Sequence, residues 1–212
     1  QQELPSVKKQ MMRLNNLNEK IKNLILQLNT KKIDPKRLRI IDEIVKKINQ
    51  NIINNSYPNL LFVCTHNSRR SQIAEIWGHT INFIFKKKIN IISAGTKKNS
   101  FNYRAVDALK KIGFDVTKKT NKYYIKFSKN YKPIIMFSKT INEINTISPL
   151  IAIMTCSNAD KNCPVFPNTI NRFLLSHEDP RLSDNSKFEQ SKYLETCKNI
   201  GTEILYLFSK IN

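Results

Sequence analysis

An open, doubly wound parallel α/β sheet preceded by a helical extension is the fold class this sequence predicts, on three observations. From residue 59 onward, short apolar runs alternate with stretches of helical periodicity, as parallel strands joined by crossover helices require. Two of those runs, Leu60-Leu61-Phe62-Val63 and Leu150-Ile151-Ala152-Ile153-Met154, are apolar without a break, which suits strands buried on both faces. Before residue 57, apolar residues recur only at helical spacing.

Taken in order, Leu14, Leu17, Ile21, Leu24 and Ile25 lie on one face of a first helix. Asp34-Pro35 reads as an N-cap followed by a first-turn proline. Leu38, Ile41, Ile44, Val45, Ile48 and Ile52 then mark a second helix. Residues 1–56 are therefore a helical N-terminal extension that packs on itself or on the main domain, with a partner-binding module as the alternative. Asn54-Asn55-Ser56-Tyr57-Pro58 is a breaker-rich boundary, and 57–212 forms the main domain. There the reading continues with strand 60–63, helix 71–85, strand 89–93 and helix 103–112, the last capped by Gly113. Tyr123–Phe127 and Pro133–Phe137 are short strand candidates, followed by strand 150–154, strand 172–175 and a closing amphipathic helix over 186–208.

The 212 residues carry 36 Lys+Arg against 16 Asp+Glu, a formal net charge of +20. Lys, Asn and Ile are abundant throughout while Gly occurs only four times, so the charge reads as drift over the whole surface and no nucleic-acid partner is expected. A basic face that meets an acidic partner is the competing reading. Four cysteines are too few for a disulfide scaffold, and at 40% hydrophobic the chain is too apolar for wholesale disorder. No apolar run approaches the roughly 18 residues of a membrane-spanning helix. Gln1 to Gln10 show no charged-then-apolar signal pattern, and a cytoplasmic location without membrane attachment is expected.

The chemistry concentrates in Cys64-Thr65-His66-Asn67-Ser68-Arg69-Arg70-Ser71, directly after the first buried strand. A loop wrapped ahead of a helix N-terminus aims several backbone N–H groups at one spot, and the helix dipole adds positive potential. Arg70 can hold two oxygens of a tetrahedral anion in a planar fork. The same field favours a thiolate at Cys64, to which Ser71 can donate a hydrogen bond. Residues 65–71 are the oxyanion-binding set and Cys64 the nucleophile.

Phe62 to Glu75 resembles the phosphate loop and first helix of the low-molecular-weight protein tyrosine phosphatase superfamily. The Ser-Gln-x-Ala-Glu continuation resembles its thioredoxin-coupled arsenate reductase branch. The resemblance runs from about residue 59 to the C-terminus and implies a flavodoxin-like fold with a four-stranded parallel sheet. It makes Asp179, in His177-Glu178-Asp179-Pro180, the general acid. It also matches Cys156-Ser-Asn-Ala-Asp-Lys-Asn-Cys163-Pro to the resolving-cysteine loop of the reductases. The implied reaction is a relay from Cys64 to Cys156 to Cys163, with arsenate as substrate and thioredoxin as reductant. The alternative it implies is a phosphatase acting on phosphate monoesters through a cysteinyl-phosphate. A non-catalytic binding protein is the third class. Some relatives hold a potassium ion, with ligands that would match Asn67, Glu75 and Ser93; no metal and no tightly bound cofactor is otherwise expected. Cys197 reads as a packed thiol.

Four departures from the pattern stand out. His66 occupies a usual glycine position, Arg69 that of a second loop cysteine, and 120–140 looks inserted. Arg181 and Leu182 stand where the phosphatases often carry tyrosines.

Overall fold

The structure, a computed structural model, describes residues 3–144, 149–162 and 169–212. Strands β1 (Asn59–Cys64), β2 (Asn90–Gly95), β6 (Leu150–Met154) and β7 (Thr169–Leu174) form one parallel sheet in the order β2-β1-β6-β7. This is the doubly wound, flavodoxin-like arrangement expected from the sequence. β1 and β6 are central and wholly buried, which is why their sequences are unbroken apolar runs. Along them side chains alternate between faces. Leu60, Phe62, Ile151 and Ile153 enter the large core under helices α4 (Arg70–Phe85), α5 (Tyr103–Ile112) and α7 (Glu189–Lys210). Leu61, Val63, Ala152 and Met154 enter a smaller cluster with Ile141, Ile144, Cys156 and Ala159. α6 (Ser157–Asn162) belongs to that second face.

The N-terminal segment is helical as expected, but its described residues form three α-helices where two were anticipated: α1 (Glu3–Asn15), α2 (Glu19–Gln27) and α3 (Pro35–Ile53), with a short 3-10 turn at Thr30–Lys32. The apolar series from Leu14 to Ile25 breaks at Asn16–Asn18. Asn18 turns its backbone N–H to the Phe127 carbonyl at 2.8 Å and its side-chain amide to the Gly113 carbonyl at 3.0 Å. Those bonds to the main domain displace the intrahelical ones that a continuous helix would need. Asp34 does cap α3, accepting from the Lys36 N–H at 2.8 Å with Pro35 in the first turn.

All three helices lie on the main domain. Leu14, Ile21, Ile41, Ile44 and Ile48 belong to the same apolar cluster as Trp77, Leu109 and Phe208. Arg13 donates to the Ile84 carbonyl in the last turn of α4 at 2.6 Å. Gly113 ends α5 at φ +117°, and a Cβ there would stand 2.6 Å from Lys20 Cβ, so both the turn and the seat of α2 require glycine.

Residues 115–136 form a separate antiparallel sheet, β3 (Asp115–Lys119), β4 (Lys122–Lys126) and β5 (Ile134–Met136). β4 and β5 fall on the two short candidates. β3 was not foreseen because it is polar and mostly exposed, so no alternation marks it.

Candidate active site

The loop from Thr65 to Arg69 joins the C-terminal end of β1 to the start of α4, the edge of a parallel sheet where ligands gather. Its carbonyls are all turned outward and engaged. Cys64 O accepts from Thr96 N, Thr65 O from Lys97 N, and Ser68 O from Asn102 N. His66 O accepts from the Ser138 hydroxyl and Asn67 O from the Gln72 amide. A trans peptide points its N–H opposite its C=O, so the amides of Thr65 to Arg69 face the inside of the loop. A nest of N–H groups backed by the α4 dipole is an anion site.

Asn67 holds this shape. Its backbone is left-handed at φ 46°, a conformation that asparagine tolerates better than most residues. Its side-chain amide donates to the Ser71 and Ser93 hydroxyls, both at 2.9 Å, and its oxygen accepts from Lys139 N at 2.9 Å. Gly95 lets the loop sit against β2: a Cβ there would lie 2.4 Å from Lys97 O and 2.7 Å from Asn67 N.

Cys64 is 4% exposed, with Sγ 3.0 Å from the Ser71 hydroxyl, the contact the sequence suggested. Together with Thr65, His66, Ser68, Arg69, Arg70, Asn158, Asp179 and Arg181 it lines a cavity of about 200 Å³, of a size to admit a tetrahedral oxyanion. Arg70 donates to Asp179 Oδ2 at 2.6 Å and to the His177 carbonyl at 2.8 Å, while its Nε is buried without a partner. The expected acid and the expected anion fork therefore meet in one cavity with Cys64. Arg69 contributes differently from Arg70. Its guanidinium is turned away, with Nε on the Tyr193 hydroxyl at 2.9 Å and Nη2 3.6 Å from Asp184, which leaves its backbone N–H to face the inside of the loop.

Cys156 stands just after β6, 3% exposed, with Sγ 3.5 Å from the Thr65 hydroxyl and accepting from Ala159 N at 3.3 Å. Asn158 reaches the same hydroxyl at 3.2 Å. Cys163 lies outside the described residues. Cys197 is fully buried in α7, and burial pushes its thiol up to about 12, which suits a packed and unreactive sulfur.

Behind the loop, Asn67, Ser93 and Glu75 do meet: Ser93 donates to Glu75 Oε2 at 2.5 Å. Sequence reasoning missed Lys139, whose ammonium lies 3.5 Å from the same carboxylate with its side chain 11% exposed. No local pattern marks this lysine among so many. Among the described residues no group of three or more His, Cys, Asp or Glu comes together to hold a metal. No helix of the described residues is long and apolar enough to cross a membrane.

A buried thiol within an amide nest, with an arginine fork and a carboxyl across the cavity, defines a cysteine-dependent enzyme of oxyanion chemistry. No family model matches the chain. Arsenate reductase 1 of Staphylococcus epidermidis is 33% identical over 131 residues, 62% of this chain and 84% of that protein. Arsenate reductase 1 of Staphylococcus saprophyticus is 31% identical over 131 residues, 62% of this chain and 85% of that protein. The crystal structure of a YwlE mutant from Bacillus subtilis shares the fold at a TM-score of 0.50 and 17% identity, covering 72% of this chain and 97% of that one. The chain belongs to the arsenate reductase family.

Proposed function

We propose that the chain is a thioredoxin-coupled arsenate reductase that works through Cys64, Cys156 and Cys163 in the cytoplasm. The observation that carries this reading is the position of Cys156, whose sulfur lies 3.5 Å from the hydroxyl of Thr65, the residue that follows Cys64. A hydrolase would have no need of a second thiol there.

Arsenate binds in the loop through the inward amides and Arg70. The Cys64 thiolate attacks arsenic, a sulfur–arsenic bond forms, and the oxygen that departs takes a proton from Asp179 and leaves as water. The Cys156 thiolate then attacks Cys64 Sγ. A Cys64–Cys156 disulfide forms, the sulfur–arsenic pair stays on arsenic, and arsenite leaves. The Cys163 thiolate attacks Cys156 Sγ, which releases the Cys64 thiolate and leaves a Cys156–Cys163 disulfide. A dithiol reductant of the thioredoxin class returns that pair to thiols.

A phosphatase acting on phosphate monoesters would use Cys64, Arg70 and Asp179 alike. One observation favours it: Cys156 is buried and its sulfur is held by Ala159 N, so it must be released before it can reach Cys64. The deciding experiment measures arsenate-dependent oxidation of thioredoxin beside hydrolysis of para-nitrophenyl phosphate. The reductase reading expects the first at a rate well above the second. Ester hydrolysis with no arsenate-dependent thioredoxin oxidation would reverse the assignment.

Potassium has no place in this reading. The Asn67 amide presents N–H to Ser93, its oxygen is engaged by Lys139 N, and the Lys139 ammonium already faces Glu75. A potassium ion needs a ring of free oxygens, which these residues do not offer. Replacing potassium by sodium at constant ionic strength is expected to change kcat and KM by less than about twofold. Lys139→Met leaves Glu75 buried without its cation and is expected to cost about 2–4 kcal/mol of stability, read by denaturant unfolding. A potassium-specific rise in kcat in the wild type would bring the ion back into the site.

A further inference from the structure

The segment that delivers Asp179 is fastened at both ends. On its C-terminal side, Asp184 meets Arg69 and Arg104, each at 3.6 Å, and the Tyr193 hydroxyl at 2.8 Å. All of these belong to the main domain. On its N-terminal side the fastening comes from the helical extension. Arg37 of α3 donates from Nη1 to the Ser176 carbonyl at 2.8 Å, and its Nη2 lies 3.4 Å from His177 Nε2. The same guanidinium grips Glu203 of α7 as a fork, through Nε to Oε1 and through Nη2 to Oε2 at 3.0 Å.

His177 is thereby held on three sides. Its ring Nε2 lies 3.1 Å from Glu203 Oε2, and its backbone N–H donates to the Thr155 carbonyl at 3.0 Å. Its carbonyl accepts from Arg70 at 2.8 Å, and Arg70 in turn holds Asp179 at 2.6 Å. Burial pushes the Glu203 carboxyl up, but the hydrogen bonds from His177 and Arg37 outweigh it and hold the carboxyl below its ordinary value, so the anchor stays charged. A cavity of about 580 Å³ opens beside the clamp, lined among others by Arg37, His177 and Glu178. Without Arg37 the segment has room to shift rather than a packed wall to lean on.

We propose that Arg37 is a positioning residue for the proton donor, fixing Ser176–His177 and through them Arg70 and Asp179, so that the N-terminal helices complete the active site. This rests on the reading of Asp179 as general acid. It goes beyond the site itself, because Arg37 touches neither Cys64 nor the anion loop. Misplacing a proton donor slows the step in which an oxygen leaves, and it does so more when the leaving group is poor.

The experiment compares Arg37→Met, Arg37→Lys, Asp179→Asn and Tyr206→Phe in the full chain. Tyr206→Phe removes another bond between α3 and α7, the 2.8 Å contact to Asp42, and leaves the acid segment alone. Each variant is assayed for arsenate reduction and for hydrolysis of phenyl phosphate and para-nitrophenyl phosphate. Protection of Cys64 from iodoacetate by phosphate reads anion binding, and thermal melting reads stability. Arg37→Met is expected to lower kcat for arsenate and phenyl phosphate about 10- to 100-fold. Its loss on para-nitrophenyl phosphate is expected to be smaller, with KM and phosphate protection within about threefold of wild type. Arg37→Lys restores part of the rate, Asp179→Asn shows the same leaving-group pattern, and Tyr206→Phe shows none of it. Equal losses on both esters, losses that follow melting temperature across all variants, or an unchanged kcat would each overturn the assignment. A wild type inactive toward arsenate and both esters would instead defeat the proposed function, and the role of Arg37 with it.

Discussion

Cys64→Ser is expected to lower turnover by at least about 1000-fold in both assays while leaving the protein folded and able to bind phosphate. The two side chains differ by one atom, and Cys64 is 4% exposed in contact with the Ser71 hydroxyl, so a serine fits without a cavity. The proposed anion-binding groups, the inward amides of residues 65–69 and Arg70, do not depend on the sulfur. What is lost is nucleophilicity. A serine hydroxyl stays protonated at neutral pH, and among the described residues the partner of Cys64 is the Ser71 hydroxyl rather than a histidine that could remove its proton. His66 lines the cavity, and its backbone carbonyl accepts from the Ser138 hydroxyl. The check is kinetic and structural together: steady-state rates, phosphate affinity by calorimetry, and the melting curve. Retained turnover beyond about 1% of wild type, with phosphate bound normally, would move the nucleophile elsewhere.

What the sequence made legible follows from how local each signal is. β1, the loop and α4 are contiguous, so an unbroken apolar run followed by Cys64, Arg70 and a helical period was enough to single out Cys64 and Arg70 as neighbours around one loop. Asp179 was singled out only through the resemblance, since Asp-Pro alone marks only a turn. The structure brings it to 2.6 Å from Arg70. The parts that stayed hidden depend on distant residues meeting. Lys139 pairs with Glu75 across 64 positions, and Arg37 meets Glu203 across 166. Periodicity carries no such information: Arg37 looked like any solvated charge on α3, and Glu203 was a lone acid among apolar neighbours on α7. The break at Asn16–Asn18 was hidden for the same reason, because the partners of Asn18 are Phe127 and Gly113. β3 escaped because a polar edge strand is defined by its pairing with β4 rather than by its own pattern.

The loop cysteines separate the two chemistries most sharply. With Cys156→Ser the arseno-adduct on Cys64 has no thiol to resolve it, so thioredoxin-coupled turnover is expected to fall by at least about 1000-fold. The adduct should then persist on Cys64 and be visible by mass spectrometry. The substitution is structurally mild, since a serine hydroxyl can accept from Ala159 N and meet the Thr65 hydroxyl much as the sulfur does. With Cys163→Ser one round of arsenite release should still occur, because Cys156 can attack Cys64 without it. The product should be a trapped Cys64–Cys156 disulfide, one arsenite per chain and no second turnover. In the same preparations, hydrolysis of para-nitrophenyl phosphate should stay within about threefold of wild type, because water resolves a cysteinyl-phosphate and neither loop thiol takes part. If both variants retained arsenate-dependent thioredoxin oxidation, the relay would be refuted. If the wild type lacked that oxidation while ester hydrolysis survived in all three proteins, the chain would be a phosphatase, with Cys156 a buried thiol held beside the loop by α6.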